Sequence, residues 1–520
     1  SAASEKLARL AVEESGFGSV AGKYQKNKFC TDLLWESLKD LQTVGVVLRD
    51  DARRYYQVAE PYGVVLAIVP ITNPTSTAMF KILIACKSRN SIVISPHPRG
   101  VRCIGESARI LAEAARGAGA PDDLILCLTH PTLEGTHEAM KARETALILA
   151  TGGPDLVRAA YSMGKPAYGV GPGNAPAFIE RTADVQHAVR AIVGSQMFDN
   201  STICASEQSV VIDTAIEAEV RAEFTRNRAH WCTPEQREKL AKIVVRGRRV
   251  NADIVGLLPC QIAQMAGFEV PRETTVLLTE ETGVGWDHPL SVEKLSPILS
   301  VYFEDGWEAG CERCIEILNF GGRGHTLVIH SRDENVIWTF VMEKPTHRIL
   351  INAPAAQGAV GYGTGLVPSM TLGCGAFGGN ITSDNISAHN LVLTKHVGYC
   401  YDGFVESFPD FSKGPPTELR FAAMPVSPAP SVASSAGNTS SSAVGTGSPV
   451  RLPRSPAPAA VPALAGAPLA HAGNPTHPAS PFYKPASEPA VVVARPAATG
   501  TEPPWKGGPI PAPKPVKYRT

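Results

Sequence analysis

Short apolar runs alternate with segments of helical periodicity through the first half of the chain. The pattern predicts strands over 55–70 (YYQVAEPYGVVLAIVP) and 91–96 (SIVISP), and helices over 77–89 and 101–117. Continuous apolar strands between helices of about ten to fifteen residues are typical of a parallel sheet that is covered on both faces. We therefore predict an α/β protein with a doubly wound sheet, in which ligands bind beyond the carboxyl ends of the strands.

A second α/β stretch follows in the chain. Its apolar runs and helical periodicities predict strands over 205–214, 273–281 and 295–305 and helices over 215–229 and 234–245. Residues 371–402 are rich in glycine and then resemble a strand, so they are predicted to close the folded body.

The composition changes at Pro415. The last 106 residues contain 23 of the 43 prolines and consist mostly of Ala, Pro, Ser and Gly. Such a segment cannot bury enough apolar surface to offset the entropy lost on ordering, so a disordered tail is predicted over 415–520. The rest of the chain is long enough for two or three packed domains.

Charge and cysteine usage exclude several classes of protein. The tail holds 9 Lys/Arg and 3 Asp/Glu, which leaves a net charge of −6 on the rest of a chain that is neutral overall. Neither value indicates a nucleic-acid surface, and no apolar run approaches the roughly 18 residues of a membrane helix. Eleven scattered cysteines fit a reducing cytosol. Cys311 and Cys314 form a CxxC in a predicted amphipathic helix without a second ligand pair, so we predict buried thiols and no metal site.

Three places in the sequence have residue types that suit catalysis or the binding of a phosphate. Cys204 follows a polar turn and precedes a strand, where a thiolate could attack an aldehyde to give a thiohemiacetal that is ready to lose hydride. Asn73 follows a buried strand, and its NH₂ could donate to an oxyanion, although Asn-Pro is also an ordinary turn signal. Thr151, Gly152 and Gly153 form a turn before a helix whose free N–H groups could face a pyrophosphate; a plain strand–helix turn is the alternative.

Six segments in order resemble one family. They are ITNPTSTAMFKILIACKSRNSIVISPHPR, ILATGGPDLVRAAYSMGKPAYGVGPGN, FDNSTICASEQSVV, EKLSP, GGRGHT and TLGCGAFGGN. Together they resemble the coenzyme-A-acylating aldehyde dehydrogenases, in particular the aldehyde dehydrogenase half of bifunctional aldehyde–alcohol dehydrogenases. The resemblance runs from about residue 1 to residue 400, and no metal-binding histidine cluster of an alcohol dehydrogenase half is expected after residue 415.

The resemblance implies a role for each matching residue. Cys204 matches the nucleophile, and Asn73 with the Cys204 backbone N–H matches the oxyanion hole. The expected NAD and coenzyme A contacts are Ile71, Thr72, Pro96, His97, Pro98, Thr151, Gly152, Gly153, Gly171 and Glu293. Among them Glu293 matches the carboxylate that holds the nicotinamide ribose.

A missing residue distinguishes two reactions. Hydrolytic aldehyde dehydrogenases carry a glutamate base in an ELGG-type segment, whereas the equivalent stretch here reads GVGPGN, residues 169–174. Without a base to activate water, a thioester on Cys204 is expected to persist until coenzyme A attacks it. The predicted reaction is therefore aldehyde, NAD and coenzyme A to acyl-CoA and NADH, with acetaldehyde as the first choice of substrate.

Two further residues leave alternatives open. His325 in GGRGHT could steer the thiolate or a proton, or could be a structural histidine. Arg323 could hold the carboxylate or sulfonate of an acidic aldehyde, such as succinate semialdehyde or sulfoacetaldehyde, or could point to solvent. A third hypothesis is a catalytically inactive scaffold or microcompartment cargo protein.

The resemblance also implies an architecture. An aldehyde dehydrogenase-like fold places a Rossmann-like cofactor domain at 1–190, with a β-arm near 46–62, and an α/β catalytic domain at 191–370. Residues 371–414 are expected to return to the cofactor domain and supply an oligomerisation strand, so a homo-oligomer is predicted. A cytoplasmic location is expected, and residues 458–472 could instead direct the protein into a bacterial microcompartment. Pro462 and Pro468 would break such a targeting helix, which favours a plain extension.

Overall fold

A computed structural model describes residues 1–407 and residue 412. The predicted disordered tail, residues 415–520, and the candidate targeting segment 458–472 lie outside the described residues.

The described residues alternate between helices and strands. The helices are α1 (Ser4–Ser15), α2 (Val20–Lys28), α3 (Leu34–Leu38), α4 (Pro74–Lys87), α5 (Val101–Gly117), α6 (Leu133–Lys141), α7 (Pro154–Tyr161), α8 (Val185–Met197), α9 (Glu217–Arg226), α10 (Pro234–Val244), α11 (Pro259–Met265), α12 (Gly306–Phe320), α13 (Glu334–Glu343) and α14 (Ala355–Gly358). The strands are β1 (Gly45–Asp50), β2 (Tyr55–Pro61), β3 (Val64–Val69), β4 (Ser91–Pro96), β5 (Ile125–Cys127), β6 (Thr145–Thr151), β7 (Ala167–Val170), β8 (Ala175–Ile179), β9 (Glu207–Asp213), β10 (His230–Trp231), β11 (Val245–Arg246), β12 (Arg249–Val250), β13 (Leu277–Glu280), β14 (Ile298–Glu304), β15 (Leu327–His330), β16 (Ile349–Ile351) and β17 (Val392–Gly398).

The first large sheet has five parallel strands in the order β5-β4-β3-β6-β7. Its central strand β3 is almost entirely buried, as expected for a strand with helices on both faces. The carboxyl ends of β3, β4, β6 and β7 lie at one edge, where the chain turns at residues 70–73, 97–100, 152–153 and 171–174. This edge positions the cofactor-binding candidates.

The second large sheet has seven parallel strands in the order β10-β13-β14-β9-β8-β15-β16. Strand β8 belongs to this sheet, so the chain passes from one sheet to the other between Val170 and Ala175, before the domain boundary that is predicted at residue 190. The short stretch between these two residues makes the crossing without a helix.

A third sheet joins two distant segments. Strands β1, β2 and β17 form an antiparallel sheet in which β2 is central. The single strand signal predicted over 55–70 is thus two strands in two sheets. They are separated at Gly63, whose φ of 122° favours glycine. Val46, Leu48, Leu393 and Val397 are exposed on β1 and β17.

The helix bounds follow local sequence signals. Helix α4 begins at Pro74, three residues before its predicted start, because proline is tolerated at the first helical position. Strand β4 and helix α5 have the predicted ends. Cys311 and Cys314 on α12 are buried in an apolar cluster, and the Cys311 thiol contacts the Lys344 ammonium. None of the helices among the described residues is both long and apolar enough to cross a membrane.

Candidate active site

A cavity of about 530 Å³ lies at the carboxyl edge of the first sheet and extends to Cys204. Its lining includes Ile71, Thr72, Asn73, Pro96, His97, Pro98, Thr151, Gly152, Gly153, Gly171, Cys204 and Glu293. The lining residues between Ile71 and Gly171 share this cavity because the carboxyl ends of parallel strands lie at the same edge of a sheet. Cys204 and Glu293 reach it from segments that precede β9 and β14 of the second sheet.

Cys204 is positioned by an unusual turn. The preceding Asp199, Asn200 and Ser201 all have positive φ angles, of 54°, 52° and 63°. Such left-handed conformations are unfavourable outside glycine and persist where the surrounding structure holds them. The turn leaves the Cys204 side chain partly exposed at the cavity, just before β9.

The Cys204 thiol is protonated in the free protein at neutral pH. Burial, followed by the nearby Glu293 carboxylate, raises the pKa of Cys204 to about 12. Thiolate is the nucleophilic form, so attack by this sulfur would require a group that accepts the thiol proton.

His325 is placed to accept this proton. Its Nε2 atom lies 3.2 Å from the Cys204 sulfur, and its Nδ1 atom lies 2.9 Å from Thr326 Oγ1. Burial, together with the Arg348 charge, lowers the pKa of His325 to about 3, so the imidazole is neutral. When Nδ1–H donates to Thr326, Nε2 carries the free lone pair that faces the thiol. Of the two roles left open for His325, this geometry favours the one beside the thiol.

Asn73 faces the Cys204 turn. Its Nδ2 atom donates to the Thr202 carbonyl at 3.1 Å, and its Oδ1 atom accepts from Lys26 Nζ at 2.7 Å. The side chain is 8% exposed. The donor end of the amide therefore lies at the Cys204 side, as an oxyanion donor requires.

The segment between β7 and β8 packs directly against Cys204. A Cβ atom on Gly173 would lie 2.0 Å from the Cys204 carbonyl oxygen. The Gly173 N–H donates to Glu293 Oε1 at 2.8 Å, and burial raises the pKa of Glu293 to about 8. A side chain that carries a general base has no room at residue 173.

The other end of the cavity fits a nucleotide. Thr151 Oγ1 is buried and has no hydrogen-bond partner within the described residues. It lies at the end of β6, immediately before the turn that begins α7, where backbone N–H groups are unpaired. An unpaired hydroxyl and a helix N-terminus are partners for a phosphate or ribose group.

Arg323 is not in the cavity. It is exposed, and its guanidinium lies 5.6 Å from the centre of the Phe377 ring. The contact between Arg323 and an acidic substrate stays a prediction, and the exposed side chain beside Phe377 favours the alternative that it points to solvent.

A second cavity, of about 450 Å³, shares Ile203, Val360 and Met370 with the first. Phe29, Leu33, Phe198 and Tyr362 contribute much of its apolar and aromatic lining. The two lysines in this lining have carboxylate partners: Lys26 binds Asp199, and Lys28 binds Asp32 at 2.5 Å.

One group of charged residues beside the site has no signal in the sequence. Lys23, Lys26 and Asp199 form a buried charge cluster next to Asn73, and Arg348 donates to the His325 carbonyl at 2.7 Å. Asp199 stands in the segment FDNSTIC, but its neighbours gave it no evident chemistry. A lysine in a helix normally indicates a solvated face, so no sequence signal could have found the two lysines. Among the described residues no group of three or more His, Cys, Asp or Glu could hold a metal ion.

Comparison with known proteins identifies the family. A model described as the aldehyde dehydrogenase family matches residues 2–240. The bifunctional aldehyde-alcohol dehydrogenase of Escherichia coli K12 is 42% identical over 396 residues, which cover 75% of this chain and 44% of that protein. The crystal structure of an acetylating aldehyde dehydrogenase from Geobacillus thermoglucosidasius is 47% identical, has a TM-score of 0.77, and is matched over 79% of this chain and 90% of that chain.

A third relative was solved with ligands. The propionaldehyde dehydrogenase of Rhodopseudomonas palustris, with bound coenzyme A and an acylated cysteine, is 26% identical, with a TM-score of 0.69 over 76% of this chain and 88% of that chain.

The chain belongs to the aldehyde dehydrogenase family. This confirms the resemblance and the predicted α/β fold class. The chain spans less than half the length of its bifunctional relative.

We expect alkylation of Cys204 by iodoacetamide to accelerate about tenfold per pH unit between about pH 7 and pH 10. With its pKa raised to about 12, the thiol gains reactive thiolate steadily over this range. Quantitative mass spectrometry of the Cys204 peptide measures the rate, and the exposed Cys400 serves as an internal comparison. A rate that levels off below pH 9 would contradict a buried, protonated thiol.

Proposed function

We propose that this chain oxidises a short aldehyde to an acyl-CoA, with NAD as hydride acceptor and coenzyme A as acyl acceptor. The observation that carries the proposal is the Cys204 thiol, which lies at a cavity with His325 Nε2 at 3.2 Å and with Gly173, not a carboxylate, against its backbone.

His325 begins the reaction. Its neutral Nε2 accepts the Cys204 proton while the sulfur attacks the aldehyde carbon, so no free thiolate has to form first. The negative charge that develops on oxygen is stabilised by the Asn73 NH₂ and the Cys204 backbone N–H. NAD, when bound, supplies a hydride acceptor, and loss of hydride leaves a thioester on Cys204. Ile71, Thr72, Pro96–Pro98, Thr151–Gly153, Gly171 and Glu293 would hold the cofactors.

The fate of the thioester separates acylation from hydrolysis. Gly173 leaves no space for a glutamate at the position that faces Cys204. Glu293 is held by the Gly173 N–H, and burial keeps its pKa near 8, so at neutral pH it is mostly protonated and a poor base for water. Transfer of the acyl group to coenzyme A is therefore the favoured path, and a ligand set with coenzyme A and an acylated cysteine in a relative supports it.

The substrate is best described as a short uncharged aldehyde, with acetaldehyde as the first candidate. Arg323 lies on the surface, and both lysines of the second cavity are paired with carboxylates. Within the described part of the chain neither cavity is lined by an unpaired lysine or arginine, so an acidic aldehyde would bury its charge at a cost. The similarity to an acetylating aldehyde dehydrogenase also favours acetaldehyde.

We further propose that the chain is cytoplasmic and forms a homo-oligomer through the β1-β2-β17 sheet. The assembly is supported by the row of exposed apolar residues on β1 and β17, which an outer strand of a sheet would normally not present to water. The alternative location, inside a bacterial microcompartment, would depend on residues 458–472. Light scattering of the wild type and of a Leu48→Lys, Leu393→Lys variant tests the assembly.

Product analysis tests the reaction. The protein is incubated with NAD and a panel of neutral and acidic aldehydes, with and without coenzyme A. NADH is followed at 340 nm, and products are identified by mass spectrometry. We expect sustained NADH and acyl-CoA formation only with coenzyme A; without it, NADH should stop near one equivalent of Cys204. Sustained free-acid formation would support the hydrolytic reaction, a preference for acidic aldehydes would overturn the substrate proposal, and no NADH with any aldehyde would support an inactive scaffold.

A further inference from the structure

Three charged side chains are buried together behind the candidate oxyanion hole. Lys23 and Lys26 on α2 are each 1% exposed, and Asp199 is 0% exposed. The Nζ atoms of Lys23 and Lys26 lie 2.7 Å and 2.5 Å, respectively, from the same oxygen of Asp199, Oδ2. Removing three charges from water is costly, and an apolar replacement of a buried ion pair is often as stable. Stability alone therefore gives no reason for this cluster.

The cluster holds both sides of the oxyanion hole. Lys26 Nζ donates to Asn73 Oδ1 at 2.7 Å and to Thr202 Oγ1 at 3.0 Å. Lys23 Nζ donates to the Thr72 carbonyl at 2.5 Å. One pair of ammonium groups thus connects the turn that carries Asn73 with the turn that carries the nucleophile.

The Lys26 ammonium and the Thr202 carbonyl together set which way the Asn73 amide points. An ammonium group has only donors, so it can face the amide oxygen and not the amide NH₂. Rotation of the amide by 180° would put NH₂ against the ammonium and turn the oxygen toward the Thr202 carbonyl. Lys26 therefore keeps the Asn73 donor on the side of Cys204.

Asp199 fixes the ammonium groups in turn. The Ser19 N–H donates to Asp199 Oδ1 at 2.9 Å, and Thr202 Oγ1 donates to Asp199 Oδ2 at 2.7 Å. Gly22 lets α2 approach closely, since a Cβ there would lie 2.6 Å from the Asp199 Cα atom. Helix α2 and the strained turn before Cys204 are thus packed as one unit.

We propose that Lys26, held by Asp199 and Lys23, is a positioning residue that orients the Asn73 amide as an oxyanion donor for attack by Cys204. The proposal rests on the proposed function, because it assigns Lys26 to the same reaction. It predicts that Lys26 acts in the transition state and only through Asn73.

A double-mutant cycle tests this coupling. Lys26→Met, Asn73→Ala and the combined variant are compared with wild type for kcat and KM in acetaldehyde oxidation. Lys26→Met should lower kcat about 10- to 100-fold and change KM by less than about threefold, since one oxyanion donor is worth about 10²- to 10³-fold. When residue 73 is already alanine, the Lys26→Met substitution should lower kcat by less than about threefold. The proposal is overturned if the kcat losses of the two single variants multiply in full in the combined variant. It is also overturned if the kcat of Lys26→Met stays within twofold of wild type.

A second reaction separates this inference from the proposed function. p-Nitrophenyl acetate acylates a thiol and releases p-nitrophenolate, with the same oxyanion but without NAD or hydride transfer. The burst rate should fall with Lys26→Met by a factor similar to that for kcat. If wild type shows a burst but oxidises no aldehyde, the proposed function fails, and the burst rates still test whether Lys26 orients Asn73. If wild type shows no burst, the inference on Lys26 is overturned as well.

Matched variants control for folding. Lys165→Met removes a partly buried ammonium that bonds the Ala142 and Thr145 carbonyls away from both cavities, and should leave the burst unchanged. Asn73→Asp keeps an oxygen for Lys26 but loses the donor, and should be as slow as Asn73→Ala. If Lys26→Met does not fold, Lys26→Gln replaces it in the cycle, since its amide can both donate and accept and no longer imposes one orientation on Asn73.

Discussion

Cys204→Ser is expected to lower kcat for coenzyme-A-dependent NADH formation by about 10⁴-fold or more, the scale on which loss of a nucleophile acts in enzymes of this mechanistic type. A serine hydroxyl in place of the thiol is a far weaker nucleophile, because oxygen is less polarisable than sulfur and its proton is harder to remove. NADH formation is followed at 340 nm, and mass spectrometry of the protein detects an acyl group on residue 204. Both signals should be lost in the variant.

Cys400→Ser is the matched control. Cys400 is exposed and lines neither cavity, so its replacement should leave kcat within about twofold of wild type, as is usual for surface changes. The thermal midpoints of both variants should stay close to that of wild type. If Cys204→Ser retained a tenth of the activity, the thioester mechanism would be abandoned.

Local sequence signals predicted those elements whose ends are fixed locally. Strand β4 and helix α5 were predicted with their observed ends, because apolar residues and Pro96 define the strand and helical periodicity defines the helix. The segment 55–70 was predicted as one strand although Pro61 and Gly63 mark a break within it. The sheet that its first part joins is set by the pairing of β2 with β17, more than 330 residues away. Pairing over such distances leaves no trace in the local pattern.

In the candidate site, too, local sequence signals predicted some residues and could not predict others. Turn residues such as Thr151 and Gly153 stand out because glycine follows an apolar strand, and the structure brings them into the cavity with Cys204. Arg323 could not be placed, since the direction of an exposed side chain depends on its neighbours in space. Lys26 and Asp199 were missed because the burial of a charge is a tertiary property: the same letters in the sequence also describe a solvated helix face.

The buried cluster leads to the second large effect. Asp199→Asn is expected to lower the free energy of unfolding by about 3 to 5 kcal/mol at pH 7, since it leaves Lys23 and Lys26 buried without a counter-charge. Burial raises the pKa of Asp199, but the two ammonium groups outweigh this and hold it below its usual range. The stabilising carboxylate is therefore present at neutral pH and is lost only as the pH falls below the usual range of aspartate. Urea unfolding of wild type and variant measures the difference.

The pH dependence of this loss identifies its cause. Burial lowers the pKa of Lys26 and the Asp199 charge raises it, so removal of that charge should lower the pKa of Lys26 further. The variant must therefore release a proton at pH 7 that wild type keeps. At pH 9 more of wild-type Lys26 is also neutral, so the loss should be smaller there than at pH 7. Asp253→Asn, which breaks the exposed pair with Arg246, should cost less than about 1 kcal/mol at either pH. A loss for Asp199→Asn that does not change with pH would mean that lost hydrogen bonds at the turn, and not unpaired charge, destabilise the variant.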